Sequence, residues 1–181
     1  MQSNRTLSAL LFFAMLVLLV AVPAALAKGE KAQKTVVHMK NADGKSIGTA
    51  ILTPAAKGVK ISLNLHGLAP GERAIHIHQN PTCEGPDFKS AGDHLNPDNK
   101  KHGLKNPEGP HAGDMPNFNV DATRHARTFV VAPGVTMGSG PNSVFTGNGT
   151  SLVIHAKADD QKSDPPTAGA RIACGVIQKP K

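Results

Sequence analysis

The chain has 181 residues, with 20 Lys and Arg against 13 Asp and Glu, six Phe, and no Trp or Tyr. So few aromatic rings deprive a nucleic-acid binder of its base-stacking platforms, and the scattered lysines read as ordinary solvation rather than a polyanion patch. With 18 Gly and 14 Pro, long helices are disfavoured.

The chain opens with the short polar stretch Met1–Arg5, a nearly unbroken apolar run from Leu7 to Val22, and Ala25-Leu26-Ala27. This order is that of a secretory signal peptide over residues 1–27, cut before Lys28. No cysteine lies near the cut, so the lipoprotein form of the signal is not supported. Leu7–Ala27 is also just long enough for an uncleaved anchor; the helix-breaking Pro23 and the small-residue ending favour cleavage and no lasting membrane insertion. Residues 28–181 then form one domain with one core, carrying a formal charge of +6 once Arg5 is removed. Export and two cysteines point to an oxidising compartment, periplasmic or extracellular, and to one disulfide.

Lys28–Lys34 is a charged, apolar-poor leader, expected to be flexible. Beyond it the apolar residues alternate, most clearly in Val59–His66. The same period predicts strands at Thr35–Lys40, Ser46–Thr53, Arg73–Gln79, Arg127–Ala132, Ser151–Ala156 and Ala170–Ile177. Asp43-Gly44, Pro70-Gly71 and Asn148-Gly149 supply turns between several of them. This is an all-β pattern, a sandwich or a barrel. Two segments break it, 80–126 and 157–169, both polar and poor in strand signal. Loops this long in a compact domain are functional or disordered.

The histidines argue for function. In Ile75-His76-Ile77-His78 the two imidazoles leave one face of a strand. The first long loop then carries His94, His102 and His111, with Asp114 three residues later, and glycines and prolines between them permit tight turns. Four nitrogen and oxygen ligands of this kind suit zinc. His155, on a late strand, is a further candidate.

Ile75–His78, Cys83, Pro86–Pro97, His102-Gly103, Gly109–Asp114, Val153–Asp160 and Gly169–Ile177 together closely resemble, in order, the copper/zinc superoxide dismutases of the exported bacterial type. The resemblance spans residues 35–181. It implies a Greek-key β-sandwich or flattened barrel of about eight antiparallel strands with two long functional loops. It further implies copper on His76, His78, His94 and His155, and zinc on His94, His102, His111 and Asp114, with His94 bridging the ions. By the same resemblance Asp159 ties a copper ligand to a zinc ligand, Cys83 and Cys174 form the disulfide, and Arg171 is the active-site arginine, catalytic together with His94. The implied substrate is superoxide, dismuted to oxygen and hydrogen peroxide by copper redox cycling.

Asp93 stands where relatives commonly have Gly or Pro, Ala74-Ile75 where many have Gly-Phe, and the 161–167 segment is slightly compact. An exported module that buffers or delivers copper and zinc without turnover would need the same histidines, but neither an open copper position nor Arg171. A sandwich with vestigial ligands would need a lost ligand, and none is lost. The family pairs subunits through different surfaces in different lineages, so a homodimer is compatible with this sequence without being specified by it.

Overall fold

The computed structural model describes residues 33–180. The expected signal peptide, most of the leader and Lys181 lie outside them. The alternation read from the sequence sets the first three strands, β1 (Thr35–Asn41), β2 (Ser46–Pro54) and β3 (Val59–His66). Val37 and Met39, Ala50 and Leu52, and Val59, Ile61, Leu63 and Leu65 turn inward and are almost wholly buried. Each large side chain so buried contributes about 1.5–3 kcal/mol relative to exposure. His38, Asn64 and His66, on the opposite face, are solvent-exposed.

The remaining strands are β4 (Gly71–Arg73), β5 (Ile75–His78), β6 (Phe118–Val120), β7 (His125–Ala132), β8 (Thr150–His155) and β9 (Arg171–Ile177). Seven of them form one antiparallel sheet in the order β5-β8-β9-β1-β2-β3-β7, while β4 and β6 pair separately. Because β4 runs directly into β5 and β6 leads into β7, the small pair joins the two edges of the large sheet and curls it into a flattened barrel. The neighbours β3–β7 and β5–β8 are distant in sequence, which is the Greek-key signature. No α-helix occurs among the described residues; a single 3₁₀ turn lies at Lys89–Ala91.

Two expectations need correction. The segment Arg73–Gln79 is not one strand. Arg73 pairs with Phe118 in the small sheet, whereas Ile75 pairs with Ile154 in the large one. Ala74 turns the corner, its N–H donating to the Lys157 carbonyl and its carbonyl accepting from His155 N–H. The stretch 80–126 is not wholly loop either, since β6 lies within it. Three residues show too little alternation to register as a period, and only Arg73 and its neighbours across the barrel hold them extended.

β5 and β8 are buried on both faces. Ile75, Ile77, Leu152 and Ile154 face the core. His76, His78, Val153 and His155 face outward, beneath the two long loops. The first loop is pinned there by the Cys83–Cys174 disulfide, Cα–Cα 5.6 Å, across 91 residues of sequence. Phe88, Ala91 and Val153 pack around it as a small apolar cluster.

Closing a loop of that length removes roughly 4–5 kcal/mol of unfolded-chain entropy in the chain-entropy model. Cys83→Ala/Cys174→Ala is therefore expected to lower stability by up to about that amount, read from the denaturant midpoint. An unchanged midpoint would refute a stabilising role for the bond.

Candidate metal centre

Strand geometry aims three imidazoles at one point. His76 and His78 are alternate residues of β5 and share its outer face. A register shift between Ile154 and His155 ends the regular β8–β9 ladder, and a bulge of this type re-aims the side chain that follows it. His78 Nδ1 donates to the Gly92 carbonyl at 2.9 Å, and His155 Nδ1 to the Gly169 carbonyl at 3.2 Å. With the proton held on Nδ1, each Nε2 presents its lone pair inward, the usual way a protein orients a metal-binding imidazole.

The first loop is folded around Asp114, which is fully buried. Its Oδ2 accepts the N–H groups of Gly103 (2.8 Å) and His111 (3.0 Å), while Oδ1 lies 2.9 Å from His94 Nδ1. Burial would raise this carboxyl's pKa, but those contacts and His102 hold it below the usual value. Asp159 does the same for the second loop. Its oxygens take Gln161 Nε2 and the Thr167 N–H and hydroxyl, and Oδ2 lies 3.1 Å from His102 Nε2 and 3.7 Å from His76 Nε2. Burial opposes ionisation here too, yet His102 and His76 keep this carboxylate well below its ordinary range. Gly103 joins the two loops: its φ is +108°, and a Cβ there would fall 2.4 Å from the Gln161 carbonyl oxygen.

Two compact donor groups result. One is His76, His78, His94 and His155; the other is His76, His94, His102 and Asp114. The His94 ring lies between them, its centroid 4.2 Å from that of His76 and 5.3 Å from that of His102. His111 stands beside the second group, its Nδ1 3.6 Å from Asp114 Oδ1 and 3.4 Å from His94 Nδ1. His76 thus enters the tighter cluster where the sequence suggests His111. All eight expected ligand and linking side chains meet in this one region.

The donor chemistry fits metal ions. Both ring nitrogens of His76, and Nε2 of His78 and His155, are buried without a hydrogen-bond partner, while His102 Nε2 has only the Asp159 carboxylate at 3.1 Å. Native proteins seldom leave such groups unpaired, since each costs about 1–3 kcal/mol. Imidazole nitrogens with one or two carboxylates select copper and zinc over magnesium or calcium.

His78, His94 and His155 open onto a cavity of about 730 Å³, which Arg171, Lys100 and Asp93 also line. The Arg171 guanidinium donates to the Phe88 carbonyl at 2.8 Å, so the disulfide loop holds it at the mouth. Burial lowers its pKa, countered by Asp93 and Asp87. Lys101, also at the rim, pairs with Asp164 at 3.4 Å. Sequence reasoning misses Asn117, whose amide exchanges two hydrogen bonds with the Asp159 backbone, and Gln161. A lone amide in a loop carries no periodic or motif signal.

Residues 46–177 match the family model for copper/zinc superoxide dismutase (SODC). The chain is 52% identical over 148 residues to superoxide dismutase (Cu-Zn) 2 of Aquifex aeolicus, covering 80% of this chain and 86% of that one. It is 41% identical to superoxide dismutase (Cu-Zn) of Caulobacter vibrioides, over 77% of this chain and 83% of the relative. Among solved structures, the Cu/Zn superoxide dismutase of Brucella abortus superposes with a TM-score of 0.67 at 33% identity, over 81% of this chain and all of that one. A SOD-like protein of Bacillus subtilis gives 0.75 at 35% identity, over 78% and 97%.

The buried imidazoles make the metal-free protein sensitive to pH. Burial lowers His76 to about 4, against the pull of Asp159, and His155 to about 3. Unfolded histidines take a proton near pH 6.5. Below that pH the unfolded chain binds more protons than the folded one, so stability falls as pH drops from about 6.5 toward 4. His102 acts with the opposite sign. Burial would lower it, but Asp159, Asp114 and the Ser163 carbonyl push it up to about 9. Its contribution is full below pH 6.5 and is lost as pH rises through about 9. The metal-free protein is expected to show its highest thermal midpoint near pH 6.5, with copper and zinc shifting the acid limb to lower pH. A midpoint flat between pH 4 and 9 without metal would contradict this balance.

Proposed function

The chain belongs to the copper/zinc superoxide dismutase family, and we propose that it converts two superoxide anions and two protons to oxygen and hydrogen peroxide outside the cytoplasm. The observation that carries this reading is the set of unpartnered imidazole nitrogens converging beside an open cavity with Arg171 at its mouth. In this reading His76, His78, His94 and His155 hold copper, and His94, His102, His111 and Asp114 hold zinc. Copper, when bound, supplies the one-electron couple that the protein lacks, while zinc is redox-inert and structural.

The side chains do the rest. Arg171 draws the anion into the cavity and offers fixed donors beside the copper-side histidines, with a charge that persists at any working pH. His94 faces Asp114 through Nδ1, so Nε2, across the ring, faces the copper-side group. When that nitrogen is not engaged by copper, it can hold a proton and release it toward the departing peroxide. Asp159 positions His76 and His102 without touching substrate. A metal buffer would need the same ligands but neither the open cavity nor Arg171, and their presence together favours turnover.

Export rests on the Met1–Ala27 signal pattern and on the Cys83–Cys174 disulfide, a bond rare in a reducing cytosol. A periplasmic or extracellular protein meets those conditions.

The direct test is cyanide-sensitive superoxide removal by protein loaded with copper and zinc. Inactive protein with both metals bound would favour the buffer. His155→Ala is expected to abolish activity with zinc retained; loss of zinc in parallel with copper would overturn the ligand assignment. At matched copper content, Arg171→Ile is expected to lower the second-order rate roughly tenfold. Asp93→Asn is expected to raise it by roughly twofold at low salt, because that carboxylate opposes Arg171 at the cavity mouth. Pulse-generated superoxide decay at several ionic strengths measures both. Equal rates for wild type and Arg171→Ile would remove Arg171 from the mechanism.

A further inference from the structure

We propose that His66 and His125 form a second metal site, on the solvent face of the sheet, that takes a borderline divalent ion such as Cu(II), Zn(II) or Ni(II). His66 ends β3 and His125 begins β7, and the two residues are direct partners in the antiparallel register. Partners of this kind carry their side chains on the same face, with Cβ atoms about 4.5–5.5 Å apart. The ring centroids lie 6.5 Å apart, just beyond the 4.2–6.2 Å spread of His94 from the other histidines of the copper-side group. His66 is exposed and free to turn through the small remainder.

The second ring is already set for ligation. His125 Nδ1 lies 2.8 Å from the Thr123 carbonyl and 3.2 Å from the Thr123 hydroxyl. That hydroxyl donates to Asp121 Oδ1 at 2.7 Å, so its hydrogen is not available to the ring. His125 Nδ1 must therefore donate to the carbonyl, which leaves the lone pair on Nε2. His78 and His155 are oriented by the same device.

The turn that carries His125 is rigid. Asp121 Oδ1 also accepts the N–H groups of Thr123 and His125, and Arg124 donates to the Gly67 carbonyl at 2.7 Å, clamping the turn to the end of β3. Two imidazoles on paired strand ends suit borderline ions and not magnesium. With water completing the shell and the Arg124 charge nearby, binding is weaker than in the buried centre.

The experiment starts from protein whose buried centre is filled with copper and zinc. Further Cu(II) is then titrated in, followed by calorimetry and electron paramagnetic resonance. One additional equivalent with nitrogen coordination is expected, displaced by excess Ni(II) or Zn(II) and not by the same excess of Mg(II). His66→Gln and His125→Gln should each weaken it by roughly tenfold or more, about 1.4 kcal/mol, with dismutase activity unchanged. His38→Gln, altering another exposed histidine of the same sheet face, should leave it intact. The site is refuted if no additional equivalent binds, if the equivalent survives both substitutions, if His38→Gln removes it, or if Mg(II) competes equally.

Discussion

Four buried imidazole nitrogens without partners, on His76, His78 and His155, are the constraint around which this molecule is arranged. Left to themselves they would disfavour the fold, because each forgoes the hydrogen bonds that water offers the unfolded chain. Burial keeps His76 and His155 neutral, and neutral imidazole is the form that ligates a metal. The same burial that makes these nitrogens costly thus prepares them for copper and zinc. Asp114 and Asp159 supply the opposing order. They gather backbone N–H groups and ring nitrogens into a network that gives the loops a definite shape.

The barrel contributes a rigid floor and the loops contribute chemistry. β5 and β8 bury isoleucine and leucine on one face and histidine on the other, so the core that stabilises the fold also fixes the direction of the ligands. The disulfide links these layers. It anchors the loop that supplies the Phe88 carbonyl to Arg171 and the Gly92 carbonyl to His78, and so ties the mouth of the cavity to the last strand. Removing that bond would loosen both contacts together, although neither cysteine faces the cavity.

Electrostatics at the mouth are mixed. Lys101 is engaged by Asp164, Arg171 has an acidic neighbour in Asp93, and Lys100 remains exposed. The net positive charge of the chain is therefore a poor guide to the field a small anion meets there. Local pairing, on a length comparable to the roughly 8–10 Å screening distance of ordinary salt, decides it.

Strands with strict alternation, such as Val59–His66, were legible from sequence because a two-residue period maps directly onto two faces. The H-x-H on β5 was legible for the same reason, and the motif order pointed to the family and to the loop histidines gathered beside that strand. The sequence also pointed to an all-β fold. It could not reveal that the run through Arg73–Gln79 breaks at Ala74, or that Phe118–Val120 pairs across the barrel, because both depend on partners tens of residues away. Nor could it show that His76 stands within reach of both donor groups, or that Asn117 braces Asp159. Periodicity and motif order are local properties of a chain. Which nitrogen faces which, and which carbonyl receives an arginine, is decided only when distant segments are packed into contact.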